Sequence, residues 1–441
     1  MIRRTLFSLL VFAALTPFAL AQSSKYARFE QFLDSLSAKD KFMGTVLIAE
    51  NGTPVFEKAV GWADLESQKA MEMDSKLRIG SVTKMFTSAL VFQAIEEGKL
   101  SLDQKLSDFY PQIKNAEKIT ISQMLQHRSG IFNFTNRLDY NIFRNRPHTQ
   151  EQLLAMMMEG GSVFEPDSKA DYSNSNFVLL TFILENIYGK NYSELVEERV
   201  FKPLQMNDTY VFGPISVEKG ETKSYLYNGK WEEDLEAHPT VPLGAGALTS
   251  TVGDLNKFAS GLFGGKLVSE QSLSEMMEIK DGFGRGMFVV PFYERKSYGH
   301  TGGIDGFRAF LGYFPEDKVT LAVLSNGMNY TNNDILIAAL SAQFEKEWEL
   351  PNLTEIVISE ELMQNYVGVY TSSQIPLQLT VEDKGGKVAI QLTGQPQAVL
   401  EATAEHTFEF KAVGAVFTFD PDQNQVTLKQ GPANIVFKRK E

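Results

Sequence analysis

Near Leu350-Pro351-Asn352 the hydrophobic pattern of the chain changes its period, and this change most restricts the folds open to it. Before that point apolar residues recur at helical spacing over long stretches. After it strict alternation dominates, in Leu377-Gln-Leu-Thr-Val381, Val388-Ala-Ile-Gln-Leu392, Phe417-Thr-Phe419, Val426-Thr-Leu428 and Ile435-Val-Phe437. A period of two belongs to half-buried strands and a period of 3.6 to helices laid on a core, so one layer architecture does not serve both parts. The 441 residues also exceed a single ordinary core. Two domains are therefore expected, at 22–350 and 351–441. The second is read as all-β and barrel-like, with Asp383-Lys-Gly-Gly386 as a hairpin turn. No cysteine occurs, so both must rest on apolar packing alone, for which 32 Phe supply material.

In the first domain, Gly44 to Gly52 and Pro54 to Ala59 read as two strands joined at Asn51-Gly52, a strong hairpin dipeptide. Tyr26 to Leu36 is helix-like. Val82, Met85, Phe86, Ala89 and Phe92 keep helical spacing up to a stop at Gly98, predicting a helix in the domain's centre. The region from Leu100 to Leu262 reads as a mostly helical lobe. Tyr298 to Gly303, Phe307 to Phe314 and Val319 to Ser325 follow as strands able to complete the sheet begun near residue 44, and an amphipathic helix is expected over Asp334 to Trp348. The fold class is thus α+β: an antiparallel sheet flanked by helices, a mostly helical lobe and a C-terminal β module.

Arg3 and Arg4 precede an apolar run from Leu6 to Leu20, with small residues at Ala19 and Ala21. This is the pattern of a cleaved export leader over 1–21, placing the mature protein in the periplasm or outside the cell. The run is broken by Ser8, Thr16 and Pro17 and falls short of a membrane span, so no stable span is expected after cleavage. A net charge of -13 opposes binding to a phosphate backbone, which leaves small molecules or peptides as partners rather than nucleic acid. The chain lacks a Gly-x-Ser-x-Gly elbow and a His-Glu-x-x-His pair, and its five histidines lie far apart. Neither a metal nor a cofactor is expected.

Three short motifs carry chemistry. A serine hydroxyl needs a proton acceptor within hydrogen-bond reach, and Ser81-Val-Thr-Lys84 puts hydroxyl and amine on one helix face at i and i+3. The helix start also turns unpaired N–H groups toward the hydroxyl. Ser216-Val-Glu-Lys219 has the same spacing but sits between Pro214 and Gly220 with no apolar helix behind it, so position selects Ser81. To accept a proton Lys84 must be desolvated or near other cations; by the tetrad alone it is equally an ordinary solvated lysine. Tyr172-Ser-Asn174 offers a phenol that ionises more easily beside an ammonium and an amide that can hold a substrate carbonyl. Tyr330-Thr-Asn332 repeats it, so a buried tyrosine beside a loop asparagine explains the tripeptide as well. His300-Thr-Gly-Gly303 supplies a donor, a hydroxyl and glycines that let a strand approach substrate, although a lone histidine is also often structural.

In the order Ser-x-x-Lys, Tyr-x-Asn, His-Thr-Gly, these resemble the three active-site motifs of the serine β-lactamase and penicillin-binding family. Tyr172 follows Ser81 by 91 residues and His300 follows it by 219, separations similar to those of the class C β-lactamase and DD-peptidase branch with its esterases. Leu77 to Thr87, Met124 to Gly130, Tyr172 to Phe177 and Gly244 to Leu255 fit as well, and the likeness runs from Phe42 to Trp348. The resemblance implies a β-lactamase-like fold with Ser81 as acylated nucleophile, Lys84 as its base or electrostatic partner, and Tyr172 as proton shuttle. It further implies that Asn174, His300, Thr301 and Gly302 contact substrate, and that the backbone N–H groups of Ser81 and Gly303 form an oxyanion hole. Histidine stands where β-lactamases usually carry lysine, which favours peptidase or esterase activity over β-lactam hydrolysis. Asp167 stands where many relatives carry glycine. The implied protein is a serine hydrolase acting on a D-amino-acid peptide, ester or β-lactam carbonyl, with peptidoglycan stem peptides among its candidate partners. The rival is a catalytically silent protein that senses or binds cell-wall peptides.

Overall fold

The computed structural model describes residues 16–351, 353, 356–410, 413–431 and 433–440. Of the leader expected over 1–21, the first fifteen positions lie outside the described residues. The rest open helix α1, Thr16–Ala38. No helix among the described residues is long and apolar enough to cross a membrane.

Strands β1 (Phe42–Glu50) and β2 (Thr53–Val60) meet at Asn51-Gly52, whose φ values of 52° and 78° are the two left-handed positions that a right-twisting two-residue hairpin demands. Helix α2 (Thr83–Glu96) is followed by α3 (Asn174–Tyr188), strands β3 (Tyr225–Tyr227) and β4 (Trp231–Glu233), and helix α4 (Val252–Phe263). Strands β5 (Phe288–Phe292), β6 (Arg295–Ile304), β7 (Phe307–Phe314) and β8 (Val319–Met328) then lead to helix α5 (Asn332–Gln343). The sheet runs β5-β6-β7-β8-β1-β2 and is antiparallel throughout this path, while β3 adds to β8 in parallel and carries β4. β1 and β8 pair along their whole length at the centre, from Phe42 opposite Met328 to Glu50 opposite Val319.

Both faces of this sheet are covered, which is why its strands read as near-continuous apolar runs. On β1, Leu47 and Ala49 face a core shared with α2, α3 and α4, whereas Val46 and Ile48 face a second core shared with α1 and α5. Successive strand residues point to opposite faces, so one run feeds two cores. Two expectations shift. The helix expected over Asp334–Trp348 ends at Gln343, because Glu345 turns left-handed at φ 52°, and Trp348 packs on Phe32 from irregular chain at 5.7 Å. The helical lobe also lends the sheet β3 and β4, which at three residues each are too short to show a period.

Past residue 358 comes helix α6 (Glu360–Tyr366), then nine strands: β9 (Gly368–Thr371), β10 (Gln378–Asp383), β11 (Val388–Leu392), β12 (Ala398–Val399), β13 (Glu401–Ala404), β14 (Thr407–Phe410), β15 (Ala415–Asp420), β16 (Gln425–Gln430) and β17 (Ala433–Arg439). Their order is β12-β11-β10-β9-β17-β16-β15-β14-β13. The two edge strands are joined by Leu400 alone, so the sheet is a nearly closed barrel around Tyr366, Tyr370, Phe408, Phe417, Phe419 and Phe437. The module is not purely β. Ser359 caps α6 by accepting from Leu362 N–H, and Met363 and Tyr366 are buried in the barrel core.

Candidate active site

Gly80-Ser81-Val82 form a single 3-10 turn that runs straight into α2. The first ten residues of α2 are buried on every side, so the turn stands on a rigid post. Gly80 has φ 48°, and a Cβ built on it would lie 2.8 Å from Gly303 N. A Cβ on Gly302 would lie 2.0 Å from the Ile79 carbonyl oxygen. Glycine at both positions lets β6 press its backbone against the turn bearing Ser81, so that Ser81 and Gly303 line the same cavity. Gly302→Ala is accordingly expected to cost about 1–3 kcal/mol of stability, as overpacking in a filled core does. Urea unfolding read by tryptophan fluorescence checks it; an unchanged midpoint would show that β6 can retreat without cost.

Lys84, the second residue of α2, is fully buried, and its Nζ lies 2.9 Å from Ser81 Oγ, 2.8 Å from Asn174 Oδ1 and 2.7 Å from the Ala245 carbonyl oxygen. Burial holds its pKa well below the ordinary lysine value, and among the described residues no carboxylate pairs with it. Tyr172 Oη donates to Ser81 Oγ at 2.7 Å. Burial pushes this phenol above its usual pKa, the reverse of the easier ionisation expected beside an ammonium, so Tyr172 meets Ser81 as a neutral donor. Asn174 opens α3, and its Nδ2 donates to Thr135 Oγ1 at 3.0 Å, which fixes the amide so that its oxygen faces Lys84.

The cavity in front of Ser81 has a volume of about 660 Å³. Gly80, Ser81, Asn174, Ala245 and Gly303 line one side; Tyr140, Arg144, Leu226, Asp234, Leu235 and Arg308 stand around them. Arg308 donates through Nη1 to the carbonyl oxygens of Asp305 and Phe307, and forms no ion pair among the described residues. Thr301 is exposed on β6. His300 and Gly302 are buried and do not line the cavity. The His300 ring packs on Phe288 at 4.6 Å and on Tyr172 at 6.2 Å, and burial lowers its pKa to about 3. It is an uncharged ring behind the cavity.

The look-alike motifs lie elsewhere. Ser216 precedes a surface 3-10 turn, Val217–Lys219, and its backbone N–H donates to Glu221 at 2.7 Å. Tyr330 is buried in the outer core.

Several supporting groups surround these residues; of them only Asp167 was singled out from sequence. His127 is buried with φ 56°, accepts from Ser173 N–H through Nδ1 at 3.1 Å, and packs tilted against the Tyr172 ring at 4.4 Å, holding the phenol in place. Arg128 pairs with Asp167 and Asp281. Asp167 has φ 67°, a left-handed position that suits glycine and that Asp tolerates better than most residues, and its carboxylate also pairs with Lys280 at 2.9 Å. Ala245 acts through a carbonyl, which no side-chain motif announces.

A family model described as Beta-lactamase matches residues 29–344. Penicillin-binding protein 4* of Bacillus subtilis (strain 168) is 25% identical over 429 residues, covering 90% of this chain and 94% of that protein. Teichoic acid D-alanine hydrolase of Staphylococcus aureus is 24% identical over 329 residues, covering 72% and 79%. Among solved structures, D-amino acid amidase from Ochrobactrum anthropi SV3 complexed with D-phenylalanine is similar at TM-score 0.67 and 23% identity, covering 74% of this chain and 100% of that one. The octameric penicillin-binding protein homologue from Pyrococcus abyssi reaches TM-score 0.66 at 24% identity, covering 93% and 99%. These two structural likenesses are likenesses of fold, and the second extends over the β module.

Proposed function

The chain belongs to the β-lactamase family, and from that premise we propose that it is an exported serine hydrolase that opens D-amino-acid amide or ester carbonyls through an acyl-enzyme on Ser81. The observation that carries this reading is the setting of Lys84, a fully buried amine 2.9 Å from Ser81 Oγ with no carboxylate paired to it among the described residues. A neutral amine has two N–H groups and one lone pair, and Nζ has three neighbours: two that can only accept, Asn174 Oδ1 and the Ala245 carbonyl, and one hydroxyl, Ser81 Oγ. With both N–H groups taken, the lone pair faces the hydroxyl. Burial favours this neutral state. Lys84 can then take the Ser81 proton as Oγ attacks the carbonyl carbon, while the N–H groups of Ser81 and Gly303 receive the charge developing on the carbonyl oxygen. Tyr172, a neutral donor 2.7 Å from Oγ, gives its proton to the departing nitrogen or oxygen, and the proton that Lys84 took from Oγ then restores the phenol. Water attacking the acyl-enzyme by the reverse relay releases the acid and frees Oγ.

The names of the relatives support the substrate class: one is called a teichoic acid D-alanine hydrolase and another a D-amino acid amidase. An uncharged His300 leaves the cavity without the fixed ammonium that would hold a β-lactam carboxylate at that motif, which favours D-aminoacyl substrates over β-lactams. Arg308 is the cation available for an anionic group on the leaving side. Arg308→Ala is expected to lower kcat/KM about tenfold or more for a D-alanyl-D-alanine peptide with a free C-terminal carboxylate, and far less for its C-terminal amide. Equal losses on both would remove Arg308 from substrate recognition. The test of the whole reading is a side-by-side assay of the protein on a D-alanyl peptide, D-phenylalanine amide, a p-nitrophenyl ester and nitrocefin. Turnover of none of them, with no labelling of Ser81 by a fluorophosphonate, would favour the silent binding protein.

A further inference from the structure

Asp305 sits in the turn between β6 and β7, two residues past Gly303, with its side chain fully buried. Its carboxylate meets three separate parts of the chain. Oδ2 accepts from Arg78 Nη1 at 2.7 Å, and Arg78 lies three residues before Ser81 on the short strand leading into the nucleophile turn. Oδ1 accepts from Arg144 Nη1 and from Ala237 N–H at 3.0 Å. Arg144 lines the cavity and pairs with Asp234, also on its wall, at 3.0 Å. Arg78 is itself buried and extends to Glu236 at 2.6 Å and to the Gly213 carbonyl at 3.0 Å.

From this we infer that Asp305 is a positioning residue for the oxyanion hole: it ties the strand carrying Gly303 to the short strand that leads into the Ser81 turn and sets the spacing of the two N–H donors. The inference rests on the proposed acyl-transfer reading. Two features separate it from a merely stabilising ion pair. Buried ion pairs are weak contributors to stability compared with apolar packing of the same volume, so a carboxylate retained among two guanidiniums calls for another reason. Asp305 also holds φ 52°, where glycine would sit unstrained, so position 305 provides a side chain at a conformational cost. Backbone pressing at Gly80 and Gly302 keeps β6 from moving closer, and the Asp305–Arg78 pair keeps it from moving away.

The test compares p-nitrophenyl acetate with its thiono analogue on the full chain. Sulfur is a larger and weaker hydrogen-bond acceptor than oxygen, so preference for the oxo ester reports how well the two N–H groups grip the oxyanion. Rates are normalised to Ser81 titrated with a fluorophosphonate, which removes any loss of folded protein. Asp305→Asn is expected to lower kcat on the oxo ester about 10- to 100-fold, a fraction of what deleting a donor costs. KM should change little, and the oxo-to-thiono preference should fall at least tenfold. Should Asp305→Asn not fold, Arg78→Lys, which keeps the charge but cannot span Asp305, Glu236 and Gly213 together, is expected to give the same fall. A folded, labelled variant with wild-type preference overturns the inference and leaves the hydrolase reading standing. A wild-type protein that neither turns over nor is labelled overturns both.

Discussion

Ser81→Ala abolishes turnover on whichever substrate the enzyme accepts, by a factor on the order of 10⁴ or more, and with it all covalent labelling by fluorophosphonates. Oγ is the atom proposed to become acylated, and it is where Tyr172 Oη and Lys84 Nζ converge at 2.7 and 2.9 Å. The residual rate comes from the oxyanion donors and substrate binding, which alanine leaves in place. The fold survives. Ser81 is the middle residue of a turn whose shape is set by Gly80 and by the buried post of α2, and the loss is two hydrogen bonds of about 1 kcal/mol each. The paired control is Ser216→Ala, expected to be neutral because its serine stands at a surface turn away from the cavity. Mass spectrometry of the labelled protein decides between them; a fluorophosphonate adduct on Ser81→Ala would place the nucleophile elsewhere.

Nearly as large is the effect of replacing Lys84 with methionine, which keeps most of the volume and deletes the base. A loss in kcat/KM on the order of 10²–10⁴ is expected, with substrate binding much less affected. Its counterpart is a pH profile. With the neutral amine as the proposed working form, activity is expected to be absent below the Lys84 pKa and to rise as pH passes through it. That pKa is lowered by burial with no carboxylate to restore it, so the rising limb lies well below the ordinary lysine value of about 10.4. Lys84→Arg keeps a permanent charge in the same pocket and should be inactive at every pH. A rising limb at the ordinary lysine value, or activity in the arginine variant, would exclude Lys84 as general base.

The parts legible in the sequence are those with a repeating signal or an obligatory residue type. The Asn51-Gly52 hairpin announces itself because both of its φ values are left-handed. The change of period near residue 350 anticipated the barrel, since half-buried strands alternate. Ser81 and Lys84 could be picked out because the look-alike at 216 has no apolar helix behind it, and Tyr172 because it falls in order between the other two motifs. What stayed hidden has no periodic or side-chain signature. The Ala245 carbonyl that holds Lys84 is backbone chemistry. Strands β3 and β4 are too short for alternation, and α6 spans seven residues. His127 reads as one more histidine until its ring is seen packed against Tyr172. The charges of the site also inverted in part: burial, which sequence does not display, makes His300 neutral and keeps the Tyr172 proton in place.

The pairing of β1 with β8 has a consequence for how the protein is made. Glu50 and Val319 are partners, so the hairpin at the start of the chain waits for its central neighbour until almost all of the first domain has left the ribosome. At usual synthesis rates of about 5–20 residues per second that interval is roughly 15 seconds to a minute. Throughout it β1 offers a bare edge and two oily surfaces to whatever is nearby. A holding chaperone bound to the segment Phe42–Glu50 is therefore the contact to look for on nascent chains stalled short of residue 319, and it should vanish once stalling is moved beyond the end of β8.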